Sequence, residues 1–253
     1  MPADPRPVDP PRSTLAERFH RARRDPALAV LEGLHALKHA RRFGAQLLEV
    51  VVTDTAAVLA LAERLAPDLV PVIRAARAVG DVGFRGLAPV PHPTGIIAIA
   101  RRPQVDARAV FEDGAPGTIV LLERPTQPAN VGAAVRAAAA AGAAALFTLG
   151  GEDPWRPAAI RGGAGLQYAL PVARLERLPE TDRPLIALHP EGAPLHTASL
   201  PPRHILAFGS ERAGLSEALL GRAAARVRIP MREGVSSLNL ATAVAVALYS
   251  LPR

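Results

Sequence analysis

From Thr118 onward, short apolar runs alternate with longer stretches in which small and charged residues recur at helical spacing. The runs TIVLLE, AALFTLG, YALPVA, PLIALHP, HILAFGS and RVRIP have strand length and are apolar nearly throughout, as strands buried on both faces are. Separated by helices, they predict an α/β domain over residues 118–253: a mainly parallel sheet with helices on both faces. Residues 14–105 predict a second, small α/β unit. STLAERFHRARR reads as a helix opened by Ser13 or Thr14, and ALAVLEGLHALKHARRFG as a short strand running into a helix that Gly44 can end. QLLEVVVT and GIIAIA are strands, and DTAAVLALAERLA is a helix capped by Asp54. Residues 106–117, dense in charge, Pro and Gly, are expected to be a linker, and the Pro-rich, polar residues 1–13 a disordered tail.

In parallel sheets ligands sit where strands end and helices begin, which makes three loops informative: ERPTQPANVG, GSERAGLS and IPMREGVSSLN. In the first, Asn130 is placed as a helix N-cap and Gly142 as the stop, with Arg136 the one charge in a small, apolar helix. Arg136 lies one turn after Gly132, so its side chain can pass over the glycine toward the helix mouth, where free N–H groups attract anions. A solvated arginine, or one paired with a buried carboxylate, is the other reading. In the second loop Glu211 stands between Gly209 and Gly214, serving either the loop backbone or a ligand. The third loop leads, through Ser236 or Ser237 as a cap, into LNLATAVAVALYSL, a helix apolar on nearly every side and therefore buried in a core or a subunit interface. Asn239 in its first turn must find partners, in a structural network or in a site.

Composition narrows the function classes. The 253 residues are 49% hydrophobic, enough for a sizeable core, and Lys+Arg exceeds Asp+Glu by 30 to 23, a net +7 that fits an acidic partner such as nucleic acid. The absence of cysteine removes disulfides, thiolate zinc sites and cysteine nucleophiles, and favours an intracellular compartment. No secretory signal or bilayer-spanning run is evident, so no membrane partner is expected. His35 and His39 have the spacing of a metal pair, but Lys38, Arg41 and Arg42 beside them suggest a solvated basic face, and no metal is expected. The few aromatics cannot form a base-stacking platform.

Taken in order, ANVGAAVRAAAAAG, FGSERAGLS and IPMREGVSSLNLATAVAVALY resemble the motifs of the SPOUT superfamily, specifically the SpoU/TrmH-type RNA 2′-O-ribose methyltransferases. RRDPALAVLEGLHALKHARRFG and HPTGIIAIARR are similar to the small substrate-binding domain often fused to them. The resemblance implies a C-terminal trefoil knot, S-adenosylmethionine as cofactor, a homodimer, a cytoplasmic location, and structured RNA as substrate, ribosomal rather than transfer RNA. It implies catalytic roles for Asn130, Arg136, Glu211, Ser237 and Asn239, and cofactor contacts at Gly209, Ile229, Met231 and Leu238. The basic stretches RARR and KHARR are candidates for phosphate contacts. Gly163 stands where relatives often carry serine. The alternatives are a transfer-RNA 2′-O-methyltransferase, a SPOUT base methyltransferase, and a non-catalytic RNA-binding or assembly factor.

Overall fold

The computed structural model describes residues 13–251; the expected tail, apart from Ser13, lies outside them. The described chain forms two sheets. β1 (Leu28–Glu32), β2 (Leu47–Val52), β3 (Arg77–Ala78) and β4 (Ile96–Arg101) make the first, in the order β1-β4-β2-β3. There β4 runs antiparallel to both neighbours, and β3 is parallel to β2. β5 (Gly117–Glu123), β6 (Ala145–Leu149), β7 (Val172–Leu175), β8 (Leu185–Pro194), β9 (Arg203–Phe208) and β10 (Ala225–Arg228) make the second, in the order β10-β8-β9-β5-β6-β7 with every pair parallel.

Alternating side chains on the second sheet feed two cores, which is why its strands read as unbroken apolar runs. Val120, Leu122, Leu146 and Leu206 face the long helix Pro128–Ala141 and the last helix, Leu240–Ser250. Ile119, Leu121, Phe147 and Ala207 face the other way, against Phe111, Leu215 and Leu219. The first core continues into the small sheet through Ala29, Leu31, Ile96 and Ala98, while Val30, Val51 and Ile97 close over Phe19 and Phe84.

Thr14 opens the first helix with a complete capping box to Glu17, and Asp54 caps the helix Thr55–Leu65. Within the stretch expected to be a linker, Ala107–Glu112 is helical. Asp106 caps this helix at one end, and at the other Arg203 holds the Phe111 and Asp113 carbonyls and Arg183 that of Asp113.

The two sheets are joined by specific contacts. Arg102 pairs with Asp153 at 2.9 Å and lies over the Trp155 ring. Tyr168 donates its hydroxyl to the Arg101 carbonyl at 2.9 Å, and a ring nitrogen of His39 meets the Ala164 carbonyl at 2.8 Å. Glu32, almost fully buried, accepts Arg23 from its own unit at 3.0 Å and lies 3.4 Å from Arg161 of the other. Arg23 of RARR is thus committed to the buried Glu32, while Arg42 of KHARR pairs with Asp68 at 2.7 Å on the surface. Among the described residues no helix is long and apolar enough to cross a membrane.

Candidate active site

The three loops converge at the carboxyl ends of β5, β9 and β10. After β5 the chain turns through Arg124–Gln127, and the long helix begins at Pro128, whose missing N–H costs nothing in the first turn. Asn130 is therefore the third residue of that helix and not its cap; Gln127 holds the cap position without a side-chain bond. Freed from capping, the Asn130 amide turns toward the other two loops. Gly142 ends the helix at φ 74° as expected.

After β9, Ser210 and Gly214 exchange backbone hydrogen bonds at 3.1 Å and fold GSERAG into a tight loop. Gly209 is required by that fold, because a Cβ there would lie 2.0 Å from the Gly214 carbonyl carbon. The loop is anchored through Ser216, which caps Glu217–Leu220 and gives both its N–H and its hydroxyl to the buried Glu123, at 2.7 and 2.6 Å. Glu211 at the tip then faces the first loop. It accepts Asn130 Nδ2 at 2.9 Å, Thr126 Oγ1 at 3.0 Å and the Thr126 N–H at 3.2 Å. Partial burial raises the Glu211 pKa, but these hydrogen bonds outweigh it and leave the pKa below the ordinary carboxylate value.

In the third loop Asn239, not Ser236 or Ser237, caps the last helix: its Oδ1 accepts Ala241 and Thr242 N–H at 2.9 and 3.3 Å. Its Nδ2 is left to donate to Asn130 Oδ1 at 2.9 Å. One continuous chain of hydrogen bonds, Asn239 to Asn130 to Glu211 to Thr126, thus ties all three loops together. Thr126 was missed by sequence reading; a hydroxyl between two prolines carries no periodic signal.

Below this network lies a cleft of about 180 Å³. Gly209, Ile229, Met231, Ser237 and Leu238 all line it, with Leu188, Phe208 and Leu240 supplying further apolar wall. A lining of apolar faces and loop backbone, with His189, Glu211 and Arg228 among its polar groups, suits a ligand with an apolar or ring-bearing body and a few polar or charged groups.

Arg136 is placed elsewhere. It is exposed, makes no hydrogen bond or ion pair among the described residues, and is absent from the cleft lining. The route over Gly132 is closed: a Cβ on Gly132 would lie 2.1 Å from the Ala159 carbonyl oxygen and 2.7 Å from the Gly163 nitrogen. Gly132 therefore serves the close crossing of Pro128–Ala141 with Pro157–Gly162. Arg136 emerges beside that crossing near His35 of the small unit. The His35 pKa is lowered, first by burial and then by repulsion from His39, Lys38 and Arg136. Six residues of helix, about 9 Å of rise, separate Arg136 from Asn130. Gly163 abuts the buried Gln167 amide, which a side chain there would meet at 2.8 Å.

Residues 117–249 match the model of the SpoU rRNA Methylase family. An uncharacterized tRNA/rRNA methyltransferase of Mycobacterium bovis is 36% identical over 63% of this chain and 59% of its own length. A 23S rRNA (uridine(2479)-2′-O)-methyltransferase of Streptomyces viridochromogenes is 30% identical over 64% of this chain and 61% of its own length. The chain thus spans about three fifths of the length of these relatives. The crystal structure of the SpoU methyltransferase AviRb from Streptomyces viridochromogenes, in complex with AdoMet, superposes with a TM-score of 0.76 at 22% identity, covering 94% of this chain and 97% of that one. It shares the fold.

Proposed function

Because this chain belongs to the SpoU rRNA methylase family, we propose that it methylates a ribose 2′-hydroxyl in structured RNA, ribosomal RNA before transfer RNA, with S-adenosylmethionine as donor. The observation that carries this reading is the unbroken Asn239–Asn130–Glu211 hydrogen bonding that closes three loops over one apolar cleft. Ribosomal RNA is favoured because the Streptomyces relative is named for a 23S rRNA 2′-hydroxyl.

Gly209, Ile229, Met231 and Leu238 would hold the cofactor, which supplies a methyl group on a positively charged sulfur. Glu211 is anionic at neutral pH and its oxygens already receive three donors, so it braces the loops and does not take up the substrate proton. Asn130 and Asn239 fix the spacing of the cleft's mouth, and well-aligned reactants gain on the order of 7–11 kcal/mol. Ser237, exposed on the cleft wall, is free to contact substrate. Arg136 offers a planar guanidinium, whose shape and charge suit a phosphate. From its exposed place outside the cleft lining, further along the helix than Asn130, it would hold the target phosphate once the RNA strand is bound and lower the pKa of the 2′-hydroxyl electrostatically, with a phosphate oxygen taking the proton.

A homodimer through the last helix belongs to this reading: Val246 and Tyr249 are exposed on its outer side while Val244 and Leu248 are buried on the inner one. So does the trefoil knot, for which the return of residues 229–239 from β10 at the sheet's edge to the long helix gives the route. A cytoplasmic location follows from the substrate.

The test is incubation with methyl-labelled S-adenosylmethionine and undermodified total RNA, then size fractionation and nucleoside mass spectrometry. Label in a 2′-O-methylnucleoside of a ribosomal RNA fraction is expected. Label in a base, or cofactor binding without transfer, overturns the reading.

A further inference from the structure

Arg124 occupies a backbone conformation that a residue with a long side chain rarely adopts. Its φ is 46°, in the left-handed region where a Cβ crowds the backbone and glycine is the comfortable choice. The surroundings hold it there. Its N–H donates to the Leu149 carbonyl at 3.0 Å, and the turn at Gly150 and Gly151, φ 62° and 63°, packs so closely that a Cβ on Gly151 would meet the Arg124 carbonyl carbon at 2.8 Å. Strain held this firmly gathers at functional sites.

The fold makes little use of the guanidinium. Its closest carboxylate is Glu123, at 4.0 Å, and both Glu123 oxygens are already taken by Ser216 at 2.6 and 2.7 Å. The side chain is 55% exposed and, among the described residues, makes no hydrogen bond. Arg124 is also the first residue beyond β5, two before Thr126, whose N–H and hydroxyl hold Glu211 at the cleft.

We propose that Arg124 is a substrate-positioning residue: a cation without a hydrogen bond among the described residues, held at the carboxyl end of β5 two residues before the Thr126–Glu211 contact, for a phosphate of the RNA strand that approaches the cleft. A phosphate is its partner because an exposed guanidinium that no neighbouring side chain orients suits the positioning contacts made to backbone charge, whereas reading a base edge needs a fixed orientation. This rests on the proposed function, with RNA as the substrate.

Arg124→Gly is the decisive variant, because glycine removes the cation and the backbone cost together. It is expected to melt at the same temperature as the wild type or higher and to bind S-adenosylmethionine unchanged. Its binding to in vitro transcribed 23S rRNA is expected to weaken several-fold, with the slope of log Kd against log salt smaller by about one. Arg124→Lys should recover the slope. An unchanged slope in Arg124→Gly overturns the proposal, and if the melting temperature also falls, Arg124 is a counter-charge to Glu123. Wild-type binding without salt dependence overturns it too. Salt-dependent wild-type binding with no methyl transfer to ribose sinks only the proposed function, and the Arg124 slope still decides this one.

Discussion

Asn130 donates its Nδ2 to Glu211 Oε1 at 2.9 Å, across 81 residues of chain. Its Oδ1 is meanwhile occupied by Asn239 at 2.9 Å, so neither end of the amide can be exchanged for the other without breaking a bond.

Asn130→Asp replaces a donor with a carboxylate facing Glu211. Two carboxylates at that distance cannot both stay ionised without repulsion. Methyl transfer at neutral pH is expected to fall by on the order of 100-fold, and the pH–rate profile should show the deficit easing as one carboxyl takes up a proton. A deficit independent of pH would show that the amide has another role.

Glu211→Gln tests the charge of the brace. Hydrogen bonds keep the Glu211 pKa below the ordinary carboxylate value in the folded chain, so its contribution to stability is complete above that ordinary value and is lost as pH falls through the lower folded one. Acid unfolding of Glu211→Gln should therefore be less pH-dependent in that window than wild type, as read by denaturation midpoints at successive pH values. Parallel curves would refute the brace.

Gly132→Ala inserts a methyl 2.1 Å from the Ala159 carbonyl oxygen, and the obstacle is backbone that cannot rotate away. A loss of about 1–3 kcal/mol is expected, visible as a lower melting temperature. The cofactor cleft is built by other loops, so S-adenosylmethionine affinity at low temperature should be kept.

Arg136→Ala should melt like wild type, since the side chain is exposed and makes no hydrogen bond or ion pair among the described residues. Methyl transfer is expected to fall by roughly 100-fold or more. Arg136→Lys separates charge from shape: full activity in that variant would rule out a need for the planar, two-pronged guanidinium.

Much of the fold was legible because each strand of the second sheet is apolar on both sides, and the three loops were legible because each joins such a strand to a helix. Read singly, Asn130 is only a helix cap and Glu211 and Asn239 are open between structural and site roles; the family resemblance puts them in one site, and the structure brings them together. What sequence could not give were relations between elements. The cap of the last helix went to Asn239 and not to a serine because the loop stays extended to its last residue. Asn130 became an interior helical residue because Pro128 starts the turn two positions earlier. Gly132 invited a reading within its own helix, but its reason is Ala159 on another. β3, two residues long, has too little pattern to detect.

The contacts between the sheets bear on how a target is chosen. Arg102–Asp153, His39–Ala164 and Tyr168–Arg101 tie one sheet to the other at several separate points. A long ligand touching both units, as the proposed RNA would, would be gauged as between the jaws of a caliper: the protein would set the span, and the part of the ligand that reaches the cleft would be picked by its distance from a landmark on the small unit.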